Sequence, residues 1–138
     1  MAKLTLQQVF SKAYQTFVLK EGRPALTSTV GCSYRTKDGR KCIIGLAIPD
    51  ELYDPVIEGR NLAAVTTPSK EPEEGDKKLK EIVEQIFETN DLLALLSLQN
   101  IHDGHALTQD DGQWNDFPHF VDEMRVFAKK HNLEVPHV

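Results

Sequence analysis

The sequence predicts an α+β fold, a β-hairpin or small antiparallel sheet packed against about four helices. Three observations lead there. An Asp38-Gly39 pair lies between two short apolar runs in the stretch Cys32 to Ile48. Asp-Gly is a strong short-range hairpin signal, because Gly takes positive φ at little steric cost and Asp bonds its own backbone. Apolar residues also recur at helical spacing in four other stretches. Finally, 138 residues with 40% hydrophobic and 27% charged composition suit a single domain, 1–138, with one core.

The first helix is expected over Leu6 to Leu19, where Leu6, Val9, Phe10, Ala13 and Phe17 form one stripe. Thr5 and Gln8 are placed as a capping box, and Gly22 with Pro24 can end the helix. The hairpin is the nearest neighbour able to bury that stripe. In no plausible hairpin register do Cys32 and Cys42 face each other, so a disulfide between them is not expected. The segment Pro49 to Gly59 holds two prolines and a glycine and supports one helical turn, around Asp50 to Tyr53. Residues 66–76, with two prolines, four acidic residues and no apolar side chain, are expected to form a solvated, mobile linker.

A second amphipathic helix carries Leu79, Ile82, Val83, Ile86 and Phe87 on one face and Lys80, Glu81, Glu84 and Glu88 on the other. A third, rich in leucine from Leu92 to Ile101, is apolar on nearly every side and is expected to be central, ending near Asp103-Gly104. After a polar loop over 104–113, Phe117, Phe120, Val121, Met124 and Phe127 define a last helix. It starts at Asn115 or Asp116, with Pro118 tolerated in its first turn.

The net charge of −5 is unevenly spread: residues 1–48 carry +6 and residues 49–138 carry −11. Such asymmetry suits an acidic or phosphate-bearing partner on one face, although ordinary solvated surfaces account for it equally. Two cysteines, no cationic leader and no apolar run long enough to span a bilayer point to free thiols and a cytoplasmic setting without membrane contact.

The Cys-x-Tyr-Arg stretch at Cys32 to Arg35, the Ile-Pro-Asp-Glu-x-Tyr segment at Ile48 to Tyr53, the Glu58-Gly59 pair and the Leu-Gln-x-Ile-His-Asp run at Leu98 to Asp103 carry a resemblance. Through them the chain resembles a small family of uncharacterised phage and prophage proteins. What the resemblance implies is an origin, a phage-type accessory protein in the host cytoplasm, and no reaction. Interference with a host defence or regulatory process is an expectation resting on it alone.

The basic stretch with Arg35, Lys37, Arg40 and Lys41 beside Tyr34 is the first candidate binding surface, since guanidinium groups match phosphates and an aromatic ring stacks on a base. Four cations and one ring in an acidic protein, of sequence pI near 5.5, disfavour general nucleic-acid binding and leave a host protein or a small nucleotide as the partner. A homodimer is compatible with the sequence. Asp50, Glu51, Tyr53 and Glu58, together with Gln99, His102 and Asp103, complete the expected ligand-binding set. The plainer roles are that Asp50 and Glu51 cap a helical turn and that Glu58 anchors Arg35 or Arg60.

The competing expectation is a small metal-assisted hydrolase centred on His102 and Asp103, with Cys42 as a further catalytic candidate and His105, with His119 further on, as further potential metal ligands. Zinc sites usually show paired short spacings, which are absent here, and Cys42 lies in an apolar run, so neither metal nor any other cofactor is expected. No nucleophile, base and orienting group can be assembled from the residues, which favours binding over turnover.

Overall fold

The computed structural model describes residues 3–20, 24, 26–27, 31–36, 39–60, 62–66, 70–105 and 114–136, with the side chains of 26, 27, 31 and 32 left aside. The fold is helical, which corrects the α+β expectation. Helices α1 (Leu6–Tyr14), α2 (Ile43–Ala47), α3 (Ala63–Thr66), α4 (Glu74–Ile86), α5 (Leu92–His105) and α6 (Phe117–Lys130) account for most of the described chain. The strands among the described residues are β1 (Leu26–Thr27) and β2 (Gly31–Cys32), an antiparallel pair in which Leu26 faces Cys32 and Thr27 faces Gly31.

The overturned element is the Asp38-Gly39 hairpin. Its predicted first strand ends in an irregular turn: Gly39, at φ 87°, donates to the Thr36 carbonyl at 3.1 Å, and Thr36 donates to the Arg40 carbonyl at 2.9 Å. Lys37 and Asp38 lie outside the described residues. The predicted second strand is α2. Cys42 has an extended backbone at the N-cap, its Sγ accepts the Gly45 N–H at 3.4 Å, and Gln99 Oε1 accepts the Ile44 N–H at 3.0 Å. Two amides of the first turn that a short helix leaves open are thus satisfied by side chains. A run of a few apolar residues does not distinguish strand from buried helix by periodicity, and here packing decides for helix.

The first helix starts as the sequence dictates. Thr5 Oγ1 accepts the Gln8 N–H at 3.1 Å and Gln8 Oε1 accepts the Thr5 N–H at 2.9 Å, a full capping box. From Gln15 to Leu19 the backbone widens to a π-helix, where Lys20 N–H reaches back to the Gln15 carbonyl at 3.0 Å. This turn carries Phe17 into a ring cluster, 5.3 Å from His102 and 5.7 Å from Trp114 between centroids. Trp114 in turn stacks on Phe120 at 4.1 Å, joining α1, α5 and α6.

Along residues 66–76, Glu74 to Asp76 belong to α4, and Gly75 is buried against the Val56 carbonyl and the Arg60 side chain. The last three residues of that expected linker are therefore helical, while 67–69 lie outside the described residues. Helix α5 runs through Gly104 rather than stopping before it. It is not enclosed all round either: Leu92, Leu95 and Leu98 are buried, whereas Leu93 is 69% exposed. The last helix begins at Asp116, whose Oδ1 accepts the His119 N–H at 3.2 Å, with Pro118 in the first turn.

The core lies where α1, α2, α4, α5 and α6 meet and is filled by Phe10, Ile43, Ile44, Leu79, Leu98 and Phe120, each at most 1% exposed. Two long-range ties close it. Leu4 N–H donates to the Ile86 carbonyl at 2.8 Å in a parallel bridge to Phe87, and Gln7 exchanges two hydrogen bonds with the Glu134 backbone at 2.8 and 2.9 Å.

Gly45 and Gly104 have opposite surroundings. A Cβ on Gly45 would run into the Tyr34 carbonyl, whereas one on Gly104 meets nothing within 4 Å. Gly45→Ala is expected to destabilise by about 1–3 kcal/mol, the cost of overpacking a rigid contact. Gly104→Ala, on an exposed helical position, is expected to stabilise by up to about 1 kcal/mol. Urea midpoints at constant m-value check both signs.

Candidate functional site

Tyr34, Arg35, Asp50, Tyr53 and Glu58, separated by up to 24 positions in sequence, come together around the Glu58 carboxylate. Glu58 Oε1 accepts the Tyr34 N–H at 2.9 Å, and Oε2 accepts the Arg35 N–H at 3.0 Å and the Tyr53 hydroxyl. The expected anchoring of an arginine side chain by Glu58 is thus replaced by anchoring of backbone amides. Arg35 turns elsewhere: Nη2 donates to the Ile48 carbonyl at 3.1 Å and pairs with Asp50 at 2.8 Å, while the guanidinium lies 4.3 Å over the Tyr53 ring. Its Nε is buried without a hydrogen-bond partner.

Tyr34 itself is buried, and its hydroxyl donates to the Arg60 carbonyl at 2.7 Å. Arg40 Nη1 donates to the Pro24 carbonyl at 3.0 Å. Lys41 is half-buried and Glu51 exposed; the expected turn around Asp50 to Tyr53 is present, its Leu52 and Tyr53 N–H groups donating to the Pro49 carbonyl at 3.0 and 3.1 Å, and Asp54 caps a further short turn, Pro55–Ile57, by accepting the Val56 N–H at 2.9 Å. The groups that would grip a phosphate are largely committed to the protein's own backbone.

The second expected cluster is internal. His102 is fully buried between Phe17 and Trp114, and its Nδ1 meets Asp103 Oδ1 at 2.8 Å. Gln99 Nε2 donates to the same Asp103 oxygen at 2.9 Å while Gln99 Oε1 caps α2. Cys42 is a buried free thiol engaged at the start of α2, and the Cys32 side chain lies outside those described. Tyr34 packs its carbonyl against Gly45 of α2 and Gln99 of α5 caps the same helix, and both contacts belong to the packed interior.

His105, one turn beyond His102 on α5, lies nearer the surface, its ring beside Phe120. His105 Nε2 lies 2.9 Å from Glu123 Oε2, His119 Nε2 lies 3.5 Å from Glu123 Oε1, and the two imidazoles are in edge contact at 4.7 Å. Among the described residues, these three form the group whose ligand atoms all fall within 4.8 Å of one another. Glu123 also lines an open groove of about 370 Å³ between α5 and α6, walled by Ile101, Val126 and Phe127 and edged by Ser97, Lys130 and His131. Glu123 and this groove were not singled out from sequence. The i,i+4 spacing of His119 and Glu123 on α6 was legible there; their meeting with His105 was not.

No protein-family model matches the chain, and no curated protein or solved structure is significantly similar to it.

Burial, and then the adjacent Glu58 carboxylate, push the Tyr53 phenol well above its ordinary range. A folded-state value raised above the unfolded value of about 10 gives stability that is complete below that pH and is lost as pH rises beyond it. Urea unfolding above about pH 10 is therefore expected to show a steeper loss of stability in the wild type than in Tyr53→Phe. At neutral pH, Glu58→Gln, which removes the charge and leaves one acceptor oxygen for three donors, is expected to cost about 1.5–3 kcal/mol by the same measurement.

Proposed function

We propose that the protein works by binding, and that a host protein lays the apolar face of a helix into the groove between α5 and α6. The observation that carries this is the groove's lining with the apolar side chains left open beside it. Ile101, Val126 and Phe127 supply apolar walls, Val126 is 66% exposed, and Leu93, at 69%, extends the Leu93-Ser97-Ile101 stripe along α5. Residues four apart on a helix share a face, so this stripe and α6 together offer the apolar track that helix-in-groove recognition uses. Glu123, Lys130 and His131 at its edge supply charges of both signs for register.

Two other readings find less support. Binding of a small nucleotide needs the cations near Tyr34, and Arg35 and Arg40 hold main-chain carbonyls instead. A hydrolase centred on His102 and Asp103 needs water at His102, which is 0% exposed. Among the described residues no helix is long and apolar enough to cross a membrane. The phage-type resemblance of the Tyr34 to Glu58 and Leu98 to Asp103 motifs makes interference with a host defence or regulatory protein the setting we propose for this binding.

A photo-crosslinking residue at Val126, with one at exposed Glu51 as control, tests the proposal in host extract. The expected result is one defined host protein captured from position 126 only, with capture lost in the Leu93→Asp background. Because both positions are exposed, neither change is expected to alter stability by more than about 0.5 kcal/mol. Equal capture from position 51, no capture, or a crosslink only to a second copy of this chain would overturn it.

A further inference from the structure

We propose that His105, His119 and Glu123 form a binding site for one divalent transition-metal ion of the zinc class. The three side chains come from two helices. His105 is the last residue of α5, and His119 and Glu123 stand one turn apart at the start of α6. A carboxylate lies between two imidazoles, with donor atoms 2.9 and 3.5 Å apart on its two sides and all three residues' ligand atoms within 4.8 Å. Ligands about 2.0–2.1 Å from a tetrahedral ion stand about 3.3 Å from one another, so closing on an ion requires small rotations only. His119 and Glu123 have the freedom for them, at 57% and 41% side-chain exposure, while His105, at 12%, provides a fixed anchor.

The donor set selects the ion. Two imidazole nitrogens and one carboxylate suit zinc, cobalt or a similar borderline ion, whereas calcium and magnesium favour shells made of oxygen. A carboxylate and two neutral imidazoles leave the bound ion with positive charge. The C-terminal end of α5 favours such charge and the N-terminal end of α6 opposes it, so the ligand set, not the helix ends, carries the site. Three protein ligands leave a fourth position for water or another donor. Since Glu123 also lines the α5–α6 groove, that position adjoins whatever the groove holds.

The ion would also tie the end of α5 to the start of α6. A hydrogen bond from Asn115 N–H to the His105 carbonyl, at 2.7 Å, already joins these ends beside the site. Binding at a site present only in the folded state therefore adds stability with ion concentration.

The test is titration of the chelator-treated full chain with Zn²⁺ by calorimetry, and with Co²⁺ by visible absorption, which reports four-coordinate geometry. One ion per chain is expected, with four-coordinate cobalt bands that zinc abolishes and millimolar Mg²⁺ or Ca²⁺ does not. His119→Ala and Glu123→Gln should each weaken binding by at least about tenfold, the lower bound seen even for residues that only support metal ligands. Glu84→Gln, exposed on α4, should leave it unchanged. The variants' melting temperatures without metal check their folding. The absence of saturable binding, or binding that persists in both cluster variants or falls equally in Glu84→Gln, overturns the site.

Discussion

A backbone amide or carbonyl taken out of water must find another partner, and the middle of this chain has little regular structure to supply one. Among the described residues between β2 and α3, the helical elements are α2 and the short turn Pro55–Ile57. Side chains fill the gap. Glu58 receives the amides of Tyr34 and Arg35, Gln99 receives that of Ile44, Thr36 that of Arg40, and Cys42 that of Gly45. In the opposite sense Tyr34, Arg35 and Arg40 donate to the carbonyls of Arg60, Ile48 and Pro24. The position of α2, and through Gln99 its docking on α5, depends on this set of contacts.

The same requirement explains why polar residues in the middle of the chain look functional when only their identities are known. A dense mixture of Arg, Tyr, Glu and Gln beside apolar residues suits a ligand, and it suits equally a polypeptide solving its own hydrogen-bonding problem. Here the side chains point inward to main-chain atoms. Along α5 and α6, by contrast, an apolar groove and a group of potential metal ligands stay open at the edge of the packed bundle.

Much of the helical framework was legible because its signals are local. The Thr5–Gln8 capping box, the Asp116 cap with Pro118, and the apolar faces of α4 and α6 each follow from residues within a few positions of one another. What was not legible depended on distant partners. The Lys41 to Ile48 run became a helix because Gln99, 55 positions beyond Ile44, caps it and because Gly45 allows the Tyr34 carbonyl to approach. The turn at Gly39 was foreseeable from its positive φ, but a turn residue alone does not decide whether strands flank it. Of the candidate site, His105 and His119 were visible as histidines; the helix crossing that brings Glu123 between them was not.

The reciprocal amide pairing of Gln7 with Glu134 spans 127 positions, and it sits where α1 begins. Helix α1 thus cannot complete its native contacts from neighbouring segments, and closing a long loop is part of its docking. The rings of Phe10 in α1 and Phe17 in the π-helical turn likewise take their cover from Phe127 and Phe120 of α6, more than 100 positions away. Closure of this kind is slower than local helix formation, so on refolding the apolar side of α1 stays open longest, and with it the body's greatest exposure to self-association.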